Sequence, residues 1–395
     1  MAQGRYSLTY IVLCVIAVLA MFSTQLINPL LAIYAKQVGA VGVWIGLSVS
    51  AYWVARVLLE IPSGFISTKF GYYLPMAVGL LLTAIGNILC AYVVDPIQLF
   101  FARILLGIGA PLFFAVSMTL IINMFSIERR GSAMGLFQGI EFLGSTLAST
   151  FSGVIITGLG FIGAFYLSTA MAVVGLFLLF LPSLRREIKM LPTASSIKLS
   201  TIPKVLMNRG LLIVCAVTLM NFMLYQGVLF TTFPLYLNGT LGMSLTDIGF
   251  VQGARSIGYV LSMLFMGTIS DRIGRKPVIL FGALGTAIMS VVLSFMVGFT
   301  AIAVVMFLIG ITTGAVWIIC PVIAAEVVDP EHRGAAVGTY RTFFDMGSVF
   351  GPILMIWVVG AYGNAMSFYL SSILLLVVFV PCLWLRETKK VQLPV

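Results

Sequence analysis

Twelve stretches of continuously apolar sequence, each about twenty residues or longer, restrict this chain more than any other feature. They fall near residues 8–34, 43–67, 73–94, 97–125, 132–157, 162–182, 210–236, 247–270, 277–296, 300–326, 334–360 and 364–385. Twenty residues of helix, rising about 1.5 Å per residue, cross the hydrocarbon layer of a membrane. Lipid offers no hydrogen-bonding partner, so a spanning segment either satisfies its own backbone as a helix or joins a closed barrel. Barrel strands alternate apolar and polar residues over about ten positions, and these runs do not. The expectation is an all-α membrane protein. Only 9% of residues are charged and mean hydropathy is +1.14, which excludes both a soluble globular protein and a disordered one. Spread over twelve spans, 395 residues leave about 33 for each span with its loop, so no soluble domain is expected. The first run continues through Asn28 and Pro29 without a small-residue cleavage site, and it reads as a retained span rather than a secretory signal.

The formal net charge of +10 would suit nucleic acid or an anionic membrane surface, and the placement of the basic residues decides between them. The terminal segments and even-numbered connections hold 17: Arg5, Lys69, Arg129, Arg130, Arg185, Arg186, Lys189, Lys198, Lys204, Arg209, Arg272, Arg275, Lys276, Arg333, Arg386, Lys389 and Lys390. The odd-numbered connections hold Lys36 alone. By the positive-inside rule both termini face the cytoplasm, where the basic loops meet anionic lipid of the inner leaflet. No nucleic-acid partner is expected, because no basic groove interleaved with aromatics is present. Cys14, Cys90, Cys215, Cys320 and Cys382 all sit inside apolar runs, at spacings that suit neither a metal nor a CxxC motif. Neither metal, cofactor nor disulfide is expected.

Shifting the sequence by 203 residues exposes an internal repeat. Ile45, Gly46, Gly64, Gly71, Gly107, Glu128, Arg130, Gly131, Ala133, Gly135, Gly144 and Ser145 fall on Ile248, Gly249, Gly267, Gly274, Gly310, Glu331, Arg333, Gly334, Ala336, Gly338, Gly347 and Ser348. Six spans followed by six in the same orientation predict two pseudo-symmetric bundles, residues 1–184 and 210–395, joined by a basic cytoplasmic linker at 185–209.

Two turns stand at equivalent places in this repeat. One runs from Gly64 through Thr68 and Lys69 to Gly71; the other reads Gly267, Thr268, Ile269, Ser270, Asp271, Arg272, Ile273, Gly274, Arg275, Lys276. The second resembles GxxxDRxGRR, the signature of the major facilitator superfamily between its second and third spans, and the likeness extends over essentially the whole chain. The first copy departs at Thr68, where the family has Asp, and at Tyr72 and Tyr73, where it has basic residues. Glycines permit a short turn and close helix approach, and an Asp beside a helix N-terminus meets about half a positive charge. The resemblance implies that this motif latches the two halves when the outside is open. Gly64, Gly71, Gly267, Asp271, Arg272, Gly274 and Arg275 would form the latch, one-sided because Thr68 cannot supply the carboxylate. A simpler alternative is that the arginines only fix topology.

Ionisable residues inside spans are costly and point to function. Arg56, Glu60, Arg103, Glu141, Arg255, Arg341 and Asp345 qualify, on spans 2, 4, 5, 8 and 11. Spans 3, 6, 9 and 12, which the superfamily places at the lipid-facing periphery, carry none. Glu141 lies about 14 Å and Asp345 about 16 Å from the cytoplasmic start of its span, the depth of a transporter binding site. Arg56 with Glu60, and Arg341 with Asp345, are four apart and can pair along one helix face. The first is read as a buried structural pair and the second as a coupling candidate. Arg103 opens an RxxxGxG pattern with Gly107 and Gly109, similar to a fourth-span motif of proton-coupled members. That likeness implies a cation acting on a nearby carboxyl, Glu141 being the candidate. The proton-coupling set is therefore Glu141, Asp345 and Arg103.

Gln25, Asn28, Gln138, Asn221, Tyr225 and Gln226, with Arg255 and Arg341, are the candidate substrate-cavity residues. Trp44, Phe113, Phe114, Phe137, Trp317 and Tyr340 would suit an amphipathic ligand. The GPxxGG of antiporters is missing from span 5, as are the sugar-porter phrase after span 6 and the paired arginines of organophosphate exchangers. A single histidine, His332, excludes HExxH, and GxSxG does not occur, so no enzyme is expected. The expected function is secondary active transport of a small organic molecule by a multi-pass protein of the plasma membrane. It is read as monomeric and proton-coupled, with efflux favoured. Proton-coupled uptake of a sugar or organic acid, or passive facilitation, are the alternatives.

Replacing Thr68 with Asp restores the missing half of the latch. Thr68→Asp is expected to raise labelling of a cysteine placed at Gln25 by an impermeant maleimide added from outside; unchanged labelling refutes the one-sided latch.

Overall fold

The computed structural model describes residues 7–190, 206–329 and 332–388, and these are almost wholly helical. Residues 191–205 of the expected linker lie outside that set, as do Arg5, Lys198, Lys204, Lys389 and Lys390. The first group of helices comprises α1 (Leu8–Gln25), α2 (Leu31–Gln37), α3 (Val43–Phe70), α4 (Tyr73–Ala91), α5 (Pro96–Met124), α6 (Ile127–Leu179) and α7 (Pro182–Met190). The second comprises α8 (Arg209–Phe222), α9 (Phe233–Gly239), α10 (Leu245–Ile273), α11 (Arg275–Leu293), α12 (Phe299–Glu326), α13 (Arg333–Tyr362) and α14 (Asn364–Cys382). Local chemistry marks the ends. Asp95 accepts from the backbone N–H groups of Ile97 and Gln98 ahead of a proline at the first helical position, and Ser244 forms a reciprocal capping box with Asp247, each satisfying otherwise orphaned donors.

Eleven described helical stretches are long and apolar enough to cross a membrane, one fewer than the runs read from sequence. The difference lies in α6. Its 53 residues would reach about 80 Å as one helix, far beyond the hydrocarbon thickness, and Gly160 inside it has non-helical angles, φ 71 and ψ 173. This is the left-handed φ that a residue with a Cβ resists, and it falls between the expected spans 132–157 and 162–182. Two spans are interrupted instead of continuous. A 3-10 turn at Asn28–Leu30, with Pro29 early in it, separates α1 from α2. Between α8 and α9 the chain winds as a ten-residue π-helix, Met223–Thr232.

The repeat is visible in the packing. A Cβ built on Gly79 would meet the Gly109 carbonyl oxygen at 2.7 Å and the Phe113 nitrogen at 2.8 Å, and one on Gly282 would meet the equivalent Thr312 oxygen at 2.9 Å and Val316 nitrogen at 3.1 Å. Gly107 presses on the backbone of Tyr52, and Gly310 on that of Arg255, again 203 residues on. Both pairs let helices approach backbone to backbone.

At the end of the bundle that carries the basic turns, each group has its own core. Tyr10, Met76, Leu120 and Phe137 belong to one, and Leu211, Ile279, Ile323 and Tyr340 to the other. At the opposite end a single core draws on both, with Leu30, Tyr34, Trp53, Phe230, Ile248 and Met355 among its members. Glycines tell the same story. Additions at Gly131, Gly135, Gly139, Gly334 and Gly338, toward the basic end, would meet nothing within 4 Å. A Cβ on Gly46 would lie 2.6 Å from the Pro352 oxygen, and one on Gly249 2.7 Å from the Gly153 nitrogen. Ser50 donates to the Val349 carbonyl at 2.6 Å, and the Thr157 and Thr246 hydroxyls meet at 3.1 Å. The two groups thus meet along α3–α13 and α6–α10 at one end and stand apart at the other.

Branching at Gly249 forces that seam open. A Thr157→Cys/Thr246→Cys pair is expected to cross-link under mild oxidation, and adding Gly249→Val should cut the yield by about fivefold or more, because overpacking this contact costs roughly 1–3 kcal/mol. Equal yield would show that the seam tolerates a side chain.

Candidate functional site

A cavity of about 90 Å³, room for a few waters, lies between the groups below the closed seam. The first group contributes Met21, Gln25, Tyr52, Trp53, Arg56, Phe114, Met118, Gln138, Glu141, Phe142 and Ser145; the second contributes Phe222, Tyr225, Gln226, Tyr259, Trp317, Arg341 and Phe344. Many of the aromatics touch one another. Trp317 packs edge-on to Phe344 at 5.1 Å, Phe222 at 5.5 Å and Phe142 at 5.9 Å. Such contacts fix ring faces toward the space they enclose.

Arg56 and Arg341 line the cavity on the α3–α13 side, and their pairing with Glu60 and Asp345 behind them differs from the sequence expectation. Arg56 does pair with Glu60 along α3, at 3.5 Å. Asp345, expected beside Arg341 on its own helix, instead pairs with Arg56 across the interface at 3.4 Å, and Arg341 crosses to Glu60 at 3.3 Å. Helical spacing permits an i, i+4 contact, but packing of α3 against α13 offers each arginine a carboxylate on the facing helix, in a setting where lone charge is costly. The Arg56 guanidinium also lies over Trp53 at 5.2 Å and Phe344 at 5.4 Å, contacts worth about 0.5–2 kcal/mol each. Asp345 is fully buried, and neither of its oxygens accepts a hydrogen bond.

Glu141 lies apart from this quartet. It is 4% exposed, Oε2 is buried without a hydrogen-bond partner, and among the described residues it forms no ion pair. Arg341 and Arg56 are the cations that act on it electrostatically, and Glu60 is the like charge. Arg103, expected to serve Glu141, is elsewhere: its guanidinium lies 5.3 Å from the Tyr52 ring, its charged or polar neighbours are Cys90 and Tyr52, and Nε has no partner. Gln25, Gln138, Tyr225, Gln226 and Arg341 line the cavity as expected, whereas Asn28, Asn221 and Arg255 are buried outside its wall. Of the expected aromatics, Phe114 and Trp317 line it; Phe113, Phe137 and Tyr340 are core, and Trp44 is 40% exposed at the periphery. Tyr52, Trp53, Phe142, Phe222, Tyr259 and Phe344 were not anticipated. Several adjoin a spanning charge in sequence or sit one turn from it, a signal that was available.

Comparison with known proteins decides the family. The family model described as Major Facilitator Superfamily matches residues 13–244 and 222–394. The chain belongs to the major facilitator superfamily. It is 23% identical over 361 residues to the multidrug resistance protein MdtG of Proteus mirabilis, covering 88% of each chain. It is 32% identical over 143 residues to a gallate transporter of Pseudomonas putida, a match spanning 36% of this chain and 32% of that one. The fold is shared with the nucleoside transporter NupG, at TM-score 0.80 and 14% identity over 96% of this chain and 100% of that one. This superfamily member is therefore an integral, multi-pass membrane protein.

The superfamily's signature turn is knitted within the second helix group. Arg275 Nη1 donates to Asp271 at 2.5 Å, Arg275 Nη2 to Glu326 at 3.3 Å, and the backbone N–H groups of Arg275 and Lys276 to the Glu387 carboxylate at 2.8 and 3.0 Å. Gly274 makes the bend at φ 103, as Gly71 does at φ 73 in the other copy; Gly64 lies within α3, Gly267 faces open space and Arg272 is exposed. This end of the transporter is the one where the groups stand apart.

The crossed pairs make a quantitative expectation. Asp345→Asn is expected to lower stability by roughly 1–3 kcal/mol, because Arg56 keeps Glu60 as its one carboxylate partner. Arg56→Gln/Asp345→Asn should lose less than the sum of the single changes, by about 1–3 kcal/mol. Thermal unfolding in detergent measures both, and strict additivity would mean that the pair carries no coupling.

Proposed function

We propose that this protein is a proton-coupled transporter that exports small aromatic cations by alternating access. In this reading it has twelve spans, splitting α6 at Gly160, in two bundles with both termini and the basic turns on the cytoplasmic side of the plasma membrane, and it works as a monomer. The structure then corresponds to a cytoplasm-open state in which the signature latch is disengaged.

Glu141 carries the proposal. Around the cavity Arg56 and Arg341 are matched by Glu60 and Asp345, which leaves Glu141 as the surplus carboxylate among aromatic faces. A lone buried carboxylate is costly, and either a proton or an organic cation offsets that cost. Aromatic rings add attraction for the cation. Two ligands that compete for one carboxylate exchange across the membrane, so an inward proton gradient drives the cation out. Likeness to the multidrug resistance protein MdtG over most of the chain supports export. The uptake of a sugar or organic acid fits less well, because neither cargo is repaid by a surplus carboxylate.

Glu141→Gln removes the exchange site. In proteoliposomes with an imposed proton gradient, ethidium movement against its own gradient is expected to fall by about a hundredfold, while Asp345→Asn retains part of it. Gradient-driven transport by Glu141→Gln at the parent rate would remove the assignment, and ethidium flux indifferent to the proton gradient would favour a passive facilitator.

A further inference from the structure

Arg255 is a charged side chain deep in the second helix group, 2% exposed, with no carboxylate partner among the described residues. Charge in such a place needs an explanation, and the cavity chemistry does not use it. Its surroundings are built around the π-helical stretch Met223–Thr232. The guanidinium carbon sits 4.7 Å from the Tyr225 ring centre and 4.8 Å from that of Phe230, and these rings meet each other at 5.0 Å. Its Nε donates to Gln252 Oε1 at 3.0 Å and its Nη2 to the Ser256 hydroxyl at 3.1 Å. Gln252 in turn donates to the Leu229 carbonyl at 2.5 Å, in the middle of the same stretch.

Tyr225 and Phe230 are five residues apart, the spacing that a π turn brings onto one face. In an α-helix the residue facing with Tyr225 would be Leu229, four along, and the ring pair beneath Arg255 would not exist. π-helical stretches of this length are rare and concentrate at functional sites. This one presents Tyr225 and Gln226 to the cavity. We infer that Arg255 is a positioning residue: by capping the Tyr225–Phe230 pair and holding Gln252 on Leu229, it keeps this segment in π register and so sets the ring and amide that substrate meets.

The repeat sharpens the inference. Arg255 occupies the slot of Tyr52, and Tyr259 the slot of Arg56, under the 203-residue shift. One copy thus uses its arginine to cross between groups and the other, one turn earlier, to brace its own group. A lysine cannot replace Arg255 in this role, because a point charge on a flexible stem lacks the planar fork that stacks and donates at once.

Hydrogen–deuterium exchange on the full chain in nanodiscs tests the clamp without any substrate. Arg255→Met is expected to raise exchange about tenfold or more in 223–232 while 210–222 stays as in the parent, and Arg255→Lys should not restore protection. Phe230→Leu, a smaller change outside the cavity wall, should raise exchange in the same segment and serves if Arg255→Met does not fold. For ethidium transport, which rests on the proposed substrate, Arg255→Met should raise KM about fivefold or more with kcat within about twofold. Unchanged exchange at 223–232 in both Arg255→Met and Phe230→Leu, or a lysine variant equal to the parent, overturns the clamp. A parent that does not move ethidium overturns the substrate reading alone.

Discussion

Charge placed between lipid-facing helices is costly unless a partner inside the protein offsets it, and this cost organises the interior. Coulomb attraction at a few ångströms is worth little in water and several kcal/mol where water is scarce. The four-charge crossing of Arg56, Glu60, Arg341 and Asp345 is therefore more than a contact between α3 and α13. Its arginines are satisfied in part by helices on the other side of the interface, which makes the relative position of the two groups an electrostatic quantity. In the proposed function, Glu141, left over when the crossing is balanced, is where that electrostatics meets a ligand.

The second interface, α6–α10, is related to the first by the repeat yet carries different chemistry. Under the 203-residue shift Arg56 and Asp345 correspond to Tyr259 and Phe142, whose rings meet at 5.6 Å, and Arg341 and Glu60 correspond to Gln138 and Met263. Of these two equivalent crossings, one is ionic and the other aromatic. Their energetics differ in kind. Separating apolar surfaces costs about 25 cal/mol per Å² over a short distance, whereas stranding a buried ion costs several kcal/mol through an attraction that reaches further.

Much of the architecture was legible in sequence because lipid imposes length. The apolar runs and the gap at 158–161, where Gly160 makes its break, follow from what hydrocarbon excludes, and the repeat could be seen in glycines such as Gly107 and Gly310, where close helix approach tolerates no Cβ. Among the partners of buried charges, only the i, i+4 pairing of Arg56 with Glu60 was legible. The i, i+4 spacing of Arg341 and Asp345 is a statement about one helix, and the choice of Glu60 over Asp345 is made by how two helices cross. Arg103 could be placed in the membrane but not turned toward Tyr52 instead of Glu141, since the facing direction depends on neighbours far along the chain. The π register at 223–232 leaves no compositional mark, as it differs from α by a single residue of winding.

In the proposed cycle, opening the closed end means parting glycine seams that hold backbone against backbone at Gly46–Pro352 and Gly153–Gly249. Those contacts are short-ranged, and dispersion falls off within about an ångström, so once parted they offer no graded resistance. The ionic crossing reaches further and remains felt after the seam has gone. Arg341 and Arg56 keep 28% and 16% of their side chains exposed, so water reaching the cavity can solvate the arginines as their partners withdraw. Asp345, with no exposure at all, has no such relief, and it is the member of the quartet whose charge most resists the return from one state to the other.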